Sequence, residues 1–181
     1  MIHKRRWGCP SASPQNVIPK IMKTINRHGV TVYDRLPGIF TIGFTQKPAS
    51  AFFETLRTAQ VARVIDVRLN NVSQLAAFSK RDDLKYFLKE ILGVDYVHET
   101  LLAPTQDMLD RFKKNHGSWD NYQREFLQLM EERRVEDKID PGLIVGGCLL
   151  CSEHQPHHCH RRLVAEYLKA KWNNVEVTHL V

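Results

Sequence analysis

Four cysteines in 181 residues, three of them gathered between positions 148 and 159, leave no series of spaced pairs from which to build a disulfide framework. That usage predicts reduced thiols and a cytoplasmic protein. The chain also lacks any run approaching the roughly 20 apolar residues of a membrane span, so no membrane partner is expected. The charged opening Met1-Ile2-His3-Lys4-Arg5-Arg6 is not followed by the apolar stretch of a secretory leader. Internal repeats and low-complexity tracts are missing as well, which excludes repeat architectures.

Most of the chain lacks an excess of base. The formal net charge is +6, yet residues 37–181 hold 19 Lys and Arg against 19 Asp and Glu. The excess lies in the first 36 residues, where Lys4, Arg5, Arg6, Lys20, Lys23, Arg27 and Arg35 face only Asp34. With Pro10, Pro14 and Pro19 among them, residues 1–36 read as a flexible basic arm through which nucleic acid can be contacted. Residues 37–181 read as one domain, a length that supports a sizeable core.

Within that domain, residues 38–44 suit a first strand, and Pro48 and Ser50 open a helix with Phe52, Leu56 and Ala59 on one side. The β-branched run over residues 61–68 suits a strand covered on both faces. Ser79 is placed to cap a helix carrying Leu84, Phe87, Leu88 and Ile91, which Gly93 stops in the left-handed conformation. Residues 94–98 form a third strand, Thr105 and Ser118 cap two more helices, and Tyr122, Phe126, Leu129 and Met130 make a core-facing stripe. An apolar strand over 142–150, a helix over 159–172 and a strand over 175–180 complete the alternation. It predicts an α/β fold: a mainly parallel sheet of about five strands with helices on both faces, in three layers.

Parallel strands end on one rim, and ligands in such sheets bind outside those ends. That rim would gather Gly43, Thr45, Asp66, Arg68 and residues 151–153, followed at once by Cys159, His160 and Arg161. Asp66 and Arg68, two apart, share a strand face; they make either a structural ion pair or a fork for an anionic substrate group oriented by its carboxylate. Cys159 in a helix's first turn beside Arg161 is a nucleophile candidate, its pKa lowered by amide dipoles and the guanidinium. Cys151 and Glu153 can address the same ligand, with Glu153 or His160 as acid or base. His154, His157 and His158 suit a solvated loop.

Two spacings are missing. Cys148-x-x-Cys151 has no turn between its thiols, and an offset of three puts them on opposite strand faces, which leaves Cys148 in the core. A Zn²⁺ or Fe²⁺ site built from Cys151, Cys159 and either His157 or His160 stays open. A tyrosine-phosphatase loop needs Arg six positions after its Cys, where this chain has His157 or Ala165. A rhodanese-like sulfurtransferase shares the Asp-Val-Arg strand end and the late Cys as a fold-level analogy alone.

Thr41-Ile42-Gly43-Phe44, Asp66-Val67-Arg68, Phe78-Ser79, Gly93-Val94-Asp95-Tyr96-Val97-His98, Cys151-Ser152-Glu153 and Cys159-His160-Arg161, in that order, resemble the family known as domain of unknown function 488. The resemblance spans residues 39–180 and implies an α/β domain with a rim site of Arg68, Cys151, Glu153, Cys159, His160 and Arg161, without implying a reaction. Two functions are expected from the residues. One is an enzyme acting on a phosphate-bearing small molecule or nucleic-acid component, with Gly43, Thr45, Asp66, Arg68 and Arg161 binding and Cys151, Glu153, Cys159 and His160 catalysing. The other is a non-catalytic metal-binding, redox-sensing or nucleic-acid-associated module.

Overall fold

The computed structural model describes residues 38–72, 77–173 and 175–181, together with the backbone of two short segments, Thr24–Ile25 and Thr31–Val32, that pair antiparallel. The rest of the expected basic arm lies outside the described residues. Five strands form one parallel sheet: β1 (Gly38–Gly43), β2 (Arg63–Asp66), β3 (Asp95–His98), β4 (Gly147–Cys151) and β5 (Glu176–Leu180). Their order across the sheet is β3-β2-β4-β1-β5. The interior strands β2, β4 and β1 are buried on both faces, which is why they read as near-continuous apolar runs.

Alternation along the strands sorts the core into two layers. Ile39, Ile65 and Leu149 pack on one face under α4 (Trp119–Arg133) and α7 (His160–Lys171). Ile42, Val64, Cys148 and Leu150 pack on the other under α1 (Ala49–Ala59) and α2 (Arg81–Phe87). The expected three layers are present. In α1 alone, Phe52, Phe53 and Leu56 are buried, each contributing about 1.5–3 kcal/mol of transfer free energy.

Several local expectations hold. Thr105 caps α3 (Gln106–Lys113) by accepting from the Met108 amide, and Ser118 caps α4 by accepting from the Asn121 amide. Gly93 is left-handed at φ 68°. Two others are corrected. Ser79 does not cap α2: it lies in a 3₁₀ turn, Ala77–Ser79, and Lys80 takes the cap position with no side-chain bond. Residues 142–146 are not strand. After the short helix α5 (Val135–Lys138), Asp140 accepts from the Gly142 amide and Pro141 opens a helical turn, α6 (Pro141–Ile144), because proline's fixed φ and missing N–H suit a first helical position. Gly146 then turns left-handed at φ 76° and starts the strand at Gly147.

A thiol pair at the rim of the sheet

β4 ends at Cys151 beside Gly43, its register partner on β1, and the next residues are fixed from below. The Thr45 amide and Oγ1 both donate to the Ser152 carbonyl, at 3.1 and 2.7 Å. A Cβ at Gly43 would lie 1.7 Å from the Glu153 carbonyl oxygen, so only a glycine lets the loop seat this closely. Gly43 and Thr45 therefore shape the loop.

Arg161, fully buried, reaches back from α7 to the same loop, donating through Nη1 to the Glu153 carbonyl at 2.5 Å and through Nη2 to the His154 carbonyl at 3.1 Å. Its Nε has no partner, and among the described residues no carboxylate pairs with it. A buried guanidinium held only by carbonyls has no counter-charge among its partners, and burying a charge is costly unless an anion lies nearby. The groups at hand are sulfurs.

Cys151, Cys159 and His160 offer ligand atoms that all lie within 4.8 Å of one another, and the three residues are 4, 2 and 7% exposed. His160 Nε2 is 2.9 Å from the Val67 carbonyl, which can only accept, so Nε2 carries the proton. Nδ1 therefore turns a lone pair, or a second proton when charged, toward Cys151 Sγ at 3.6 Å. Interaction with the Cys159 thiol, whose sulfur is within 4.8 Å, is the first cause that brings the Cys151 thiol below its ordinary range; burial opposes it, and the Glu153 and Ser152 amides and Arg161 add to it. Cys159 moves the other way. Burial, and then the interaction with Cys151, push its thiol well above the usual value.

That corrects the sequence-based expectation for Cys159. It is the residue preceding α7, in extended conformation with no side-chain capping bond, and burial, then Cys151, outweigh the opposing influence of His160 and Arg161. Of the pair, Cys151 is the sulfur whose thiol is lowered and Cys159 the one whose thiol is raised. Cys148, at 0% exposure on the opposite sheet face, has its thiol raised by burial.

The two sulfurs open onto a pocket of about 150 Å³ lined by Arg68, Leu69 and Asn70 after β2, by Cys151, Ser152, Glu153, His158, Cys159 and His160 of the loop and α7, and by Pro104, Leu109, Phe112, Lys113, Trp119 and Tyr122 opposite. Arg68 and Cys159 thus share one pocket. The Arg68 guanidinium, however, is engaged with Asp66, Nε to Oδ1 at 2.8 Å and Nη2 to Oδ2 at 2.6 Å, and Nη2 also donates to the Ser79 carbonyl. Tyr96 donates to the same carboxylate at 2.6 Å, and His98 Nε2 donates to the Arg68 carbonyl at 2.8 Å. In this geometry Arg68 is committed to Asp66 as a buried ion pair.

Glu153 sends its carboxylate to Lys113 Nζ at 2.8 Å, both groups about half exposed, while its backbone amide serves Cys151. His157 is exposed with its ring against His158, and it is outside the Cys151–Cys159–His160 cluster. His154 accepts from Lys47. The aromatic wall was invisible in the sequence: Tyr122 read as core, and Phe112 and Trp119 carried no signal. Trp119 stacks on Tyr122, Phe112 packs edge-on to Trp119 and tilted against Tyr122, and the His158 ring centroid lies 5.1 Å from that of Trp119. Burial, then the two sulfurs and Glu153, raise the Tyr122 phenol, so it faces the pocket as a neutral hydroxyl.

Among the described residues no helix is long and apolar enough to cross a membrane. No curated protein and no solved structure matches this chain. The model of the family described as Domain of unknown function DUF488 matches residues 48–168, which hold β2, β3, β4, Arg68, both rim cysteines, His160 and Arg161. The match covers well over half of the sequence, and the chain belongs to the DUF488 family.

Proposed function

We propose that this chain is a thiol-dependent enzyme in which Cys151 attacks a small electrophilic group carried by a phosphate-bearing small molecule or nucleic-acid component. One observation carries the reading: Arg161 is a buried cation without a carboxylate, and the adjacent sulfur of Cys151 is the group its charge favours as an anion. A thiolate is the nucleophilic form of cysteine.

His160 takes the proton of Cys151 at Nδ1 and returns it to the leaving atom, with the Val67 carbonyl keeping the ring oriented. The Ser152 and Glu153 amides hold the thiolate. Arg161 acts on the sulfur rather than on substrate, because its donors point to carbonyls of the loop. Lys113 at the pocket wall, about half exposed and paired with Glu153 at 2.8 Å, is the cation that an anionic substrate would draw on by displacing that carboxylate. At about 150 Å³ the pocket is below the roughly 300–1,000 Å³ typical of ligand sites, so it takes the reacting group and leaves the remainder outside.

A second reading is favoured by the mutual spacing of the three ligand atoms. Two thiolates and an imidazole whose far nitrogen is fixed by a carbonyl form a three-ligand set suited to Zn²⁺ or Fe²⁺. Charge separates the readings. A divalent ion with two thiolates is neutral and leaves Arg161 without an anion, whereas one thiolate matches it.

The test is alkylation of the native protein by iodoacetamide across pH, with peptide mapping and metal analysis on the same sample. The proposal expects metal-free protein in which Cys151 is modified at neutral pH faster than a free thiol, before Cys148 and Cys159. A stoichiometric metal whose removal by chelator exposes both rim cysteines selects the metal module instead. Modification of Cys151 only after denaturation overturns the enzymatic reading.

A further inference from the structure

Cys159 has no part in the nucleophilic step, yet its sulfur lies within 4.8 Å of Cys151 and both residues are buried. Both sulfurs line the pocket, and a loop of only seven residues separates them, tied down by Thr45 and Arg161. A single thiol at a substrate site needs no such companion. Two buried sulfurs within 4.8 Å of one another, both lining a pocket of about 150 Å³, define an access problem that only a small oxidant solves.

We propose that Cys151 and Cys159 form a dithiol that reacts with small hydroperoxides and closes to a disulfide between the end of β4 and the start of α7. The inference rests on the reading of Cys151 as the nucleophile. The Cys151 sulfur attacks the outer oxygen of the hydroperoxide; the S–O bond forms as the O–O bond breaks, and the alkoxide or hydroxide leaves with the proton held at His160 Nδ1. Cys159 then attacks the Cys151 sulfur. The S–S bond forms, the S–O bond breaks, and hydroxide leaves with the Cys159 proton as water. Two thiols and one hydroperoxide give one disulfide, one alcohol or water, and one water.

Selectivity follows from the pocket. Hydrogen peroxide fits beside the aromatic wall of Phe112, Trp119 and Tyr122, whereas oxidised glutathione, whose central sulfurs must reach a thiol that is 4% exposed, does not. Cys148 stays out of the reaction because it sits on the other face of the sheet.

The experiment treats the reduced, desalted, metal-free full chain with stoichiometric hydrogen peroxide, or separately with oxidised glutathione, then blocks free thiols under denaturing conditions and maps peptides without reduction. The expected product with peroxide is a Cys151–Cys159 disulfide lacking two hydrogens and reversed by dithiothreitol, formed at least tenfold faster than with oxidised glutathione. In Cys159→Ser, and in Cys159→Ala as a second variant, oxidation stops at one added oxygen on Cys151, trapped by dimedone added with the denaturant. Wild-type protein that instead accumulates the same oxygenated Cys151 as C159S overturns the dithiol while leaving the nucleophile reading intact. Equal rates with the two oxidants overturn the small-oxidant assignment. Cys151 that resists both peroxide and iodoacetamide takes down the nucleophile reading and the dithiol together.

Discussion

Arg68 and Arg161 are both buried at the same rim, and their partners differ in kind. Arg68 meets a carboxylate through a two-pronged fork, and that carboxylate is further held by Tyr96, so the charge of this half of the rim is closed within the protein. Arg161 meets carbonyl oxygens alone and has an unpartnered Nε. A saturated ion pair has little left for a ligand. An unsaturated guanidinium beside two sulfurs sets the state of those sulfurs, so reactivity is expected on the α4/α7 side of the sheet and stability on the α1/α2 side.

The largest effect is expected from breaking the closed half. Asp66→Asn removes the anion and leaves Arg68 buried and unpaired, which costs about 3–5 kcal/mol in urea unfolding. If thiol alkylation in the folded fraction changes as much as stability does, the two halves are not separate. Gly43→Ala acts on the junction: the added Cβ collides with the Glu153 carbonyl and crowds Arg161 Nη1, so the loop must lift. A loss of about 1–3 kcal/mol is expected, with faster alkylation of Cys159 as its shielding opens.

Arg161→Met tests the open half. Its Cys151 should alkylate about tenfold more slowly at neutral pH, because losing roughly 1.4 kcal/mol of thiolate stabilisation is one decade; Arg161→Lys, which keeps the charge, should fall less. Equal rates for wild type and R161M would break the comparison. The smallest effect is a control: Thr105→Ala removes a cap bond on α3 at about 1 kcal/mol, and the Cys151 rate should stay unchanged.

Much of the architecture was legible in the sequence because period and caps are local properties. Thr105, Ser118 and Gly93 act as their neighbours demand, and the odd offset between Cys148 and Cys151 puts the two thiols on opposite faces. The strand expected over residues 142–150 failed at its start, where Pro141 after Asp140 is a helix-opening pair that apolar continuity concealed. At the site, the loop and its cysteines were visible because they are contiguous. The wall of Phe112, Lys113, Trp119 and Tyr122 was not, since it comes from helices about 40 residues earlier whose stripes look like ordinary core. The direction of the Cys159 shift was also out of reach, because a helix terminus argues for a low value, whereas burial and then the nearby Cys151, which raise it, are set in three dimensions.

The central claim, that Cys151 is the anion of the pair, is tested most directly by following thiolate ultraviolet absorbance of the native, metal-free protein against pH in wild type and Cys151→Ser. A step present in wild type, absent in C151S, and lying below the ordinary thiol pKa of about 8.5 is the predicted result. A wild-type titration indistinguishable from that of C151S below this pH would contradict it.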